Sequence, residues 1–423
     1  MSLNDNFSKL LKLCNAIMLN NNYLELNSQK QGTVMKVSPK KVLLASVLSL
    51  ATMTSAIASD NSKTWPASDK AKKFIKENIV LDFFASPYGV GWTKPEHLHE
   101  YLDKAHAAGI TGASATLAPT YYTFEQFRKE HAMWRSTMLQ RDNRYIFVKS
   151  VEDIERAHKE GKYAVIWNSQ TPTIIDGDLS KLALLREMGL GSMQITYNGT
   201  YRYGDGVIEA YHGRDRGLTN EGKKLVDEIV KQGIVVDLSH VGEKTALDTL
   251  NYMLEKHPGV PAIFSHSLPA GAFKNEKNRT ERGCYRNITD EMALLAAKTG
   301  GYVSPTFTEW MFDGIWPEDI TPQQGADVIE YYVKLVGIDH VGIATDDMFT
   351  EELIVAFSKA NADSYEDDGY MVKAMDKGAT GAGELSKYIA AVTDELWKRG
   401  YSNDDLRKIY GENVMRTWKK AWK

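Results

Sequence analysis

The chain has 423 residues, with 51 Lys or Arg against 55 Asp or Glu, 43% hydrophobic residues, and 32 Gly, 12 Pro and 2 Cys. This composition excludes a disordered chain, a collagen, a disulfide-stapled scaffold and a strongly basic nucleic-acid-binding protein. The length allows several average domains or one large domain with a sizeable core.

Residues 35–58 have the three parts of a secretory signal peptide. Lys36, Lys40 and Lys41 precede an apolar run over 42–53, and small residues follow up to Ala58. The run is shorter than the roughly 20 residues that a membrane-spanning helix needs. We therefore expect cleavage after Ala58, no transmembrane anchor in the mature protein, and a periplasmic or secreted location.

Residues 1–34 lie upstream of Met35, although a signal peptide belongs at the very N-terminus. We interpret them as an extension outside the natural translation product, which would begin at Met35. A long leading region of the signal peptide and a small cytosolic extension are the alternatives. Residues 59–423 show no second domain, no repeat and no low-complexity linker, so we expect one domain there.

Eight short β-branched or apolar runs recur along the mature chain, and each is predicted to be a strand. They span residues 79–84, 110–116, 163–168, 192–197, 234–240, 260–266, 301–307 and 340–346. Segments with a period near 3.6 lie between them, and several end in the Gly expected beyond a helix C-terminus. This alternation predicts an α/β fold, a (β/α)8 TIM-type barrel, with a structured insertion over 117–162.

Two predicted strands end in the same way, in Ser239-His240 and in Ser265-His266. In such a barrel the carboxyl ends of the strands converge on one mouth, so two imidazoles could share a metal ion there. The eighth strand brings Asp346 to the same rim, as a third ligand or a proton acceptor. Taken singly, a rim histidine is usually a hydrogen-bonded structural residue, and Asp after a strand commonly caps a helix.

Five motifs occur along the chain in a characteristic order and spacing. They are VDLSHV (236–241), PAIFSHS (261–267), YRNITDEM (285–292), VGIATDD (341–347) and IYGENVMRTW (409–418). They resemble the membrane (renal) dipeptidase family of zinc peptidases over essentially the whole mature chain. The resemblance implies a metallo-dependent hydrolase-like barrel with two zinc ions that hydrolyses dipeptides. It implies that His240 and His266 bind one zinc, that Asp346 is the catalytic acid/base, and that Arg286 holds the substrate carboxylate.

The sequence departs from this pattern at the other zinc ligands. The family's first strand ends in Asp-Gly-His-x-Asp, but this chain has Phe84 and Ser86 at the two ligand positions. The bridging Glu falls on or beside Asn168, and the family's substrate-polarising His is matched by Tyr197. We therefore expect at most one zinc per chain, or none, and we assign Asn168 and Tyr197 to substrate binding with Arg286.

Aromatic residues occur in many segments expected near the mouth, where they would favour a bulky or aromatic ligand. They are Phe83, Phe84, Tyr121, Tyr122, Trp167, Tyr197, Tyr201, Tyr203 and Tyr211. The alternative is that those on strands are core residues and those in loops are surface residues.

The resemblance leaves three functions open. The first is an exported dipeptidase-family hydrolase that acts on dipeptides or small peptide-like substrates with a degraded binuclear site. The second is a periplasmic protein that tailors or binds a peptide metabolite, such as a pyoverdine-type siderophore precursor, without dipeptidase activity. The third is a binding protein without catalysis. The expected partner is a small peptide-like molecule and not a nucleic acid, and members of the family are often homodimers.

Overall fold

The computed structural model describes residues 65–85, 95–116, 122–139, 143–273, 286–308, 311–312, 320–347 and 385–422. All of them belong to one compact unit, Ser62–Lys423. No helix in these ranges is long and apolar enough to cross a membrane. The predicted signal peptide and upstream extension, together with Ser86 and Tyr121, lie outside the described residues.

The centre of the fold is a parallel sheet whose strands come from the predicted runs. The strands are β1 Leu81–Ala85, β2 Gly112–Thr116, β3 Tyr145–Phe147, β4 Tyr163–Ser169, β5 Leu190–Gln194, β6 Val235–Asp237 and β7 Ala262–Ile263. Their order in the sheet is β1-β2-β4-β5-β6-β7, and β3 pairs with β4.

The sheet curls and closes on itself through the seventh and eighth predicted runs. Parallel bridges join Phe264 to Val303 and Val303 to Val341. The Phe83 amide then donates to the Ile343 carbonyl at 3.0 Å, which brings the last run against β1. The barrel prediction is confirmed, although these two runs are held by single bridges and not by regular strands.

Helices alternate with the strands and cover the outside of the barrel. They are α1 Asp69–Glu77, α2 Pro95–Ala107, α3 Phe124–Leu139, α4 Val151–Glu160, α5 Lys181–Glu187, α6 Val207–Tyr211, α7 Asn220–Lys231, α8 Glu243–Lys256, α9 Asp290–Thr299, α10 Pro322–Val336, α11 Leu385–Lys398, α12 Asn403–Arg407 and α13 Asn413–Ala421.

Local sequence signals explain where several helices begin and end. The Thr219, Thr289 and Thr321 hydroxyls accept hydrogen bonds from the free backbone amides of the first turns of α7, α9 and α10. Gly300 ends α9 with φ 90°, a conformation that disfavours side chains with a Cβ. These boundaries fix the lengths of the loops that join the helices to the neighbouring strands.

The insertion predicted over 117–162 contains α3, β3 and α4. Strand β3 was not predicted, because three residues are too few to show a period of two. It pairs Tyr145 with Tyr163 and Phe147 with Val165, so it lies along the first half of β4. From Trp167 onward β4 pairs with β5 instead.

Alternate residues of several strands pack into two different apolar clusters. In β4, Ala164 and Ile166 belong to a cluster with Phe83 and Tyr302 that also takes in buried residues of α4 and α13. The neighbouring β4 residues Val165 and Trp167 belong to the larger cluster that also takes in the buried faces of the helices. The sheet is buried on both sides, and polar side chains gather where the strands end.

Candidate functional site

The two histidines predicted as metal ligands are in direct contact. His240 and His266 each lie three residues beyond the paired strand ends Asp237 and Ile263, so the parallel register places them level. Both are buried, and their Nε2 atoms are 3.0 Å apart. The backbone of His240 has φ 66°, a strained conformation for a side chain of this size.

Hydrogen bonds to the outer ring nitrogens define the tautomers of this histidine pair. His240 Nδ1–H donates to Asn198 Oδ1 at 2.7 Å. The Ser265 hydroxyl donates to Asp237 Oδ2 at 2.6 Å, so its oxygen accepts from His266 Nδ1–H at 2.7 Å. Each neutral ring has only one N–H. The two Nε2 lone pairs therefore face each other.

The surroundings keep both rings neutral. Burial, and then the charge of Arg286, lower the pKa of His240 and of His266 well below the usual value for histidine. Two opposed lone pairs repel each other unless a cation lies between them. A metal-binding histidine typically donates its other ring N–H to a hydrogen-bond acceptor, as both of these histidines do. The pair fits one metal ion, to which it would supply two nitrogen ligands.

A second metal does not fit the described residues. The Phe84 ring stacks on His266 with ring centroids 3.7 Å apart and planes at 16°. Asn168 accepts from Thr116 Oγ1 at 2.9 Å and donates to Ser114 Oγ at 3.0 Å, so its amide is held on β2. Neither side chain offers an anionic ligand. In the described ranges no three His, Cys, Asp or Glu side chains form a metal-binding group.

Tyr197 covers the other imidazole. It follows β5, is 7% exposed, and stacks on His240 with ring centroids 4.1 Å apart and planes at 27°. The histidine pair is therefore enclosed between two aromatic rings, Phe84 and Tyr197. An enclosure of this kind excludes water and strengthens electrostatic interactions inside it.

Arg286 lies directly beside the histidine pair. Its guanidinium is 1% exposed, donates through Nη1 to Ser267 Oγ at 3.0 Å, and donates through Nη2 to the His266 carbonyl at 2.9 Å. A buried guanidinium is well suited to a carboxylate, because its planar donors match the two oxygens.

Asp346 stands at the end of the last barrel segment and is partly exposed. Its amide donates to the Phe84 carbonyl at 2.8 Å, and its φ is 54°. Burial raises the pKa of Asp346 to about 7, while the charge of Arg286 opposes the rise and the charge of Asp82 adds to it. A carboxyl group with this pKa can both take up and release a proton near neutral pH.

The structure brings four of the predicted residues into one cluster: His240, His266, Tyr197 and Arg286. Asp346 is linked to the cluster through the backbone of Phe84, and Asn168 is turned toward Ser114 and Thr116.

Sequence reasoning missed the residues that orient the imidazoles, which are Asn198, Ser265 and Asp237. The shared Ser-His ending of the two strands, and the Asn directly after Tyr197, were the available signals.

Two of the aromatic residues expected near the mouth are core residues instead. Phe83 packs against Tyr302 and Trp418, with ring centroids 5.2 Å and 6.4 Å away. Trp167 stacks on Phe147 with centroids 5.9 Å apart and is 1% exposed. The alternation of side chains along a strand explains this placement, because Phe83 and Phe84 must point in opposite directions.

A closed (β/α)8 barrel with paired histidines at the strand ends defines the class of metal-dependent hydrolase-like barrels. The profile of the membrane dipeptidase family (Peptidase family M19) matches residues 103–355. The chain belongs to this family.

Known proteins similar to the chain agree with this assignment. An uncharacterized dipeptidase of Schizosaccharomyces pombe is 24% identical over 312 residues, which cover 71% of this chain and 66% of that protein, just under two thirds of its length. An amidohydrolase from Pseudomonas aeruginosa superposes with a TM-score of 0.66 at 24% identity, over 83% of this chain and 99% of its own. The probable dipeptidase PvdM from the same organism superposes with a TM-score of 0.60 at 19% identity, over 84% and 98%. The two superpositions show that the fold is shared.

Proposed function

We propose that the chain is an exported hydrolase of the dipeptidase family that cleaves the amide bond of dipeptides or small peptide-like molecules at the barrel mouth. The observation that carries this proposal is the close approach of the buried His240 and His266, whose Nε2 atoms are 3.0 Å apart while their Nδ1 atoms contact Asn198 and Ser265. Such a pair is costly to bury without a cation and has little use in a purely structural core.

His240 and His266 would hold one zinc ion. Asp346, the predicted third ligand, forms no metal-binding group with them in the described residues, so it would have to move toward the pair to complete the site. A zinc ion bound there supplies Lewis acidity and lowers the pKa of a water molecule. Phe84 and Asn168 support a limit of one metal per chain. The Phe84 ring cannot replace an imidazole ligand, and the neutral amide of Asn168 cannot replace an anionic carboxylate.

The other roles belong to side chains of this protein. Arg286 would bind the carboxylate of the substrate by charge-assisted hydrogen bonds. Asp346 would take a proton from the attacking water and return it to the leaving amine, and its pKa of about 7 suits both steps. Tyr197 would contact the substrate and select for its shape. Asn168, predicted for the same role, is 2% exposed and bonded to Thr116 and Ser114, so it would support the site from β2.

The proposed location and partners are supported by the sequence alone. The signal peptide over 35–58 supports export and cleavage after Ala58 into the periplasm or the medium. A small peptide-like molecule is the proposed ligand, and a homodimer is the proposed assembly because the resemblance implies it.

One observation favours a second candidate, a protein that tailors or binds a peptide metabolite without dipeptidase activity. Phe84 and Tyr197 stack on the two imidazoles and give the site an aromatic lining. Such a lining suits a bulky or aromatic ligand better than a bare dipeptide. The fold shared with PvdM, itself named a probable dipeptidase, is compatible with either candidate.

The test is the metal content and peptidase activity of the mature protein, residues 59–423, after incubation with zinc and removal of the excess. Close to one zinc per chain, with dipeptide hydrolysis, is expected for the wild type. His240→Ala should lose both, whereas His257→Ala should lose neither, since His257 pairs with Asp227 on the helical surface.

Zinc binding without hydrolysis of any dipeptide would favour the tailoring or binding candidate. Absence of zinc from the wild type would overturn the metallopeptidase proposal.

A further inference from the structure

A cavity of about 740 Å³ opens in the helical layer, between the segment 65–67 and the helices α1, α2 and α11. Its lining includes Trp65, Lys72, Lys76, Lys104, Lys387 and Ala390. We call it the lysine cleft. It shares no lining residue with the barrel mouth. Its volume lies within the range of about 300–1,000 Å³ that is typical of small-molecule sites.

The cleft is cationic in a chain whose net charge is −4. Four of its described lining residues are lysines, and none of them is acidic. Lys72 and Lys104 contact Asp69 and Glu100 outside the lining, at 3.8 Å and 3.2 Å, and these groups are about half exposed or more. Exposed ion pairs of this kind are weak, so an anion in the cleft can compete for both lysines.

The rest of the lining is apolar and made of small residues. Ala67, Ala107, Ala108 and Ala390 leave the space open, and Trp65 supplies an aromatic wall. A site with apolar walls and a few charged groups selects for a ligand that has both an apolar part and a group of opposite charge.

The aromatic wall is held in place by its contacts with α11. Trp65 meets Tyr388 edge to face with ring centroids 5.3 Å apart. Three residues later, Ser68 donates to Asp394 through both its backbone N–H and its hydroxyl, each at 2.6 Å. The segment is therefore fixed before any ligand arrives, which lowers the entropic cost of binding.

We propose that the lysine cleft binds an amphiphilic organic anion, a carboxylate or sulfonate carried on an apolar aromatic or aliphatic body. The lysines recognise the anionic group, and Trp65 with the surrounding alanines receives the apolar body. This site is independent of the chemistry at the barrel mouth.

The test uses two fluorescent probes with the same aromatic body, titrated into the purified full chain. One is 8-anilinonaphthalene-1-sulfonate, and the other is N-phenyl-1-naphthylamine, which lacks the sulfonate. The anionic probe should bind a saturable site. Lys76→Gln and Lys104→Gln should each weaken its binding about fivefold at low salt. The neutral probe should bind more weakly and should not respond to either change.

Two further variants separate the cleft from other surfaces. Ala107→Trp places a large side chain at an exposed lining position and should abolish the binding of both probes at this site. Lys73→Gln with Lys224→Gln removes two exposed lysines that pair with Glu77 and Glu221 outside the cleft, and should leave binding unchanged.

Binding of the anionic probe that survives Ala107→Trp, or that falls equally with the control pair, would overturn the proposal. The first result would place the probe elsewhere, and the second would attribute binding to overall charge.

Discussion

The ring of Phe84 lies face to face with the imidazole of His266, with ring centroids 3.7 Å apart. The resemblance to the dipeptidases predicts a zinc-binding histidine at position 84. In this chain an apolar ring at that position packs against His266, the proposed metal ligand. The side chain that stands in place of a family ligand therefore holds the ring of His266 in position.

Restoring the absent ligands should rebuild the second metal position. The triple change Phe84→His, Ser86→Asp and Asn168→Glu is expected to raise the zinc content from at most one toward two per chain, because two zinc ions need anionic and imidazole ligands together. Elemental analysis of the purified protein measures this directly.

The double change Phe84→His with Ser86→Asp is the control, since it lacks the bridging carboxylate and should gain less metal. If the triple variant folds and binds no more zinc than the wild type, the assignment of these positions at the strand ends is wrong.

Phe84 should also contribute to stability. Because its side chain is 1% exposed, Phe84→Ala should lower the free energy of unfolding by about 3–5 kcal/mol. Phe84→Leu fills more of the space and should cost less. Urea denaturation of the three proteins gives the order, and equal stabilities would show that the stack contributes nothing.

The Ser265 hydroxyl should control metal affinity through His266. Ser265→Ala removes the acceptor of His266 Nδ1–H, which frees the ring to change tautomer and orientation. Zinc affinity should fall about 10–100-fold, as for other outer-shell partners of metal ligands. Ser114→Ala, a buried serine that contacts Asn168 instead, is the matched control. A zinc titration with a competing chelator measures the affinity of each variant. If Ser265→Ala and Ser114→Ala lose the same affinity for zinc, Ser265 has no specific role in metal binding.

Asp82 should make the stability of the protein depend on pH. Burial raises the pKa of Asp82 to about 7, although the Thr345 hydroxyl and amide and the Phe84 amide donate to its carboxylate and oppose the rise. The folded state therefore holds this proton more tightly than the unfolded state, in which the pKa is near 3.8. The resulting stabilisation is complete below the unfolded value and is lost as the pH rises through about 7.

The variant Asp82→Asn lacks this titration. Denaturant unfolding at several pH values between about 4 and 8 should show the wild type losing stability relative to Asp82→Asn as the pH increases. A constant difference across that window would mean that Asp82 titrates alike in the folded and unfolded states.

Arg286 should recognise a free carboxylate on the substrate. Arg286→Lys keeps the charge and loses the planar donor pair, so KM for a hydrolysed dipeptide should rise about 10-fold or more, as expected for a charge-assisted hydrogen bond. The same dipeptide with an amidated C-terminus is the control, and its KM should change little. A similar rise for both substrates would point to damage at the His266 carbonyl and not to lost recognition.

Much of the fold was predictable because it follows from local chemistry. The period near 3.6 between 290 and 299 and the Gly at 300 predicted α9 and its end, and the structure has both. The apolar runs predicted the barrel, since buried parallel strands need continuous apolar sequence. Strand β3 escaped prediction because three residues carry no readable period, and the runs at 301–307 and 340–346 pair only through isolated bridges.

The candidate site was predictable only in part. The matching Ser-His ends placed His240 and His266 at one rim, because parallel strands carry their last residues to the same edge. The roles of Asn198 and Asp237 could not be read from the chain, since each reaches a histidine, directly or through Ser265, across a strand boundary.

The amino-acid sequence by itself determined the class of fold, the membership of the dipeptidase family and the identity of the side chains at the strand ends. These depend on local patterns and on residue type. Only the tertiary structure decided that the two Nε2 atoms meet at 3.0 Å, that Phe84 and Tyr197 cover them, and that Phe83 packs in the core. Contacts of this kind join residues far apart in the chain, so they depend on how the barrel closes and on the direction in which each strand residue points.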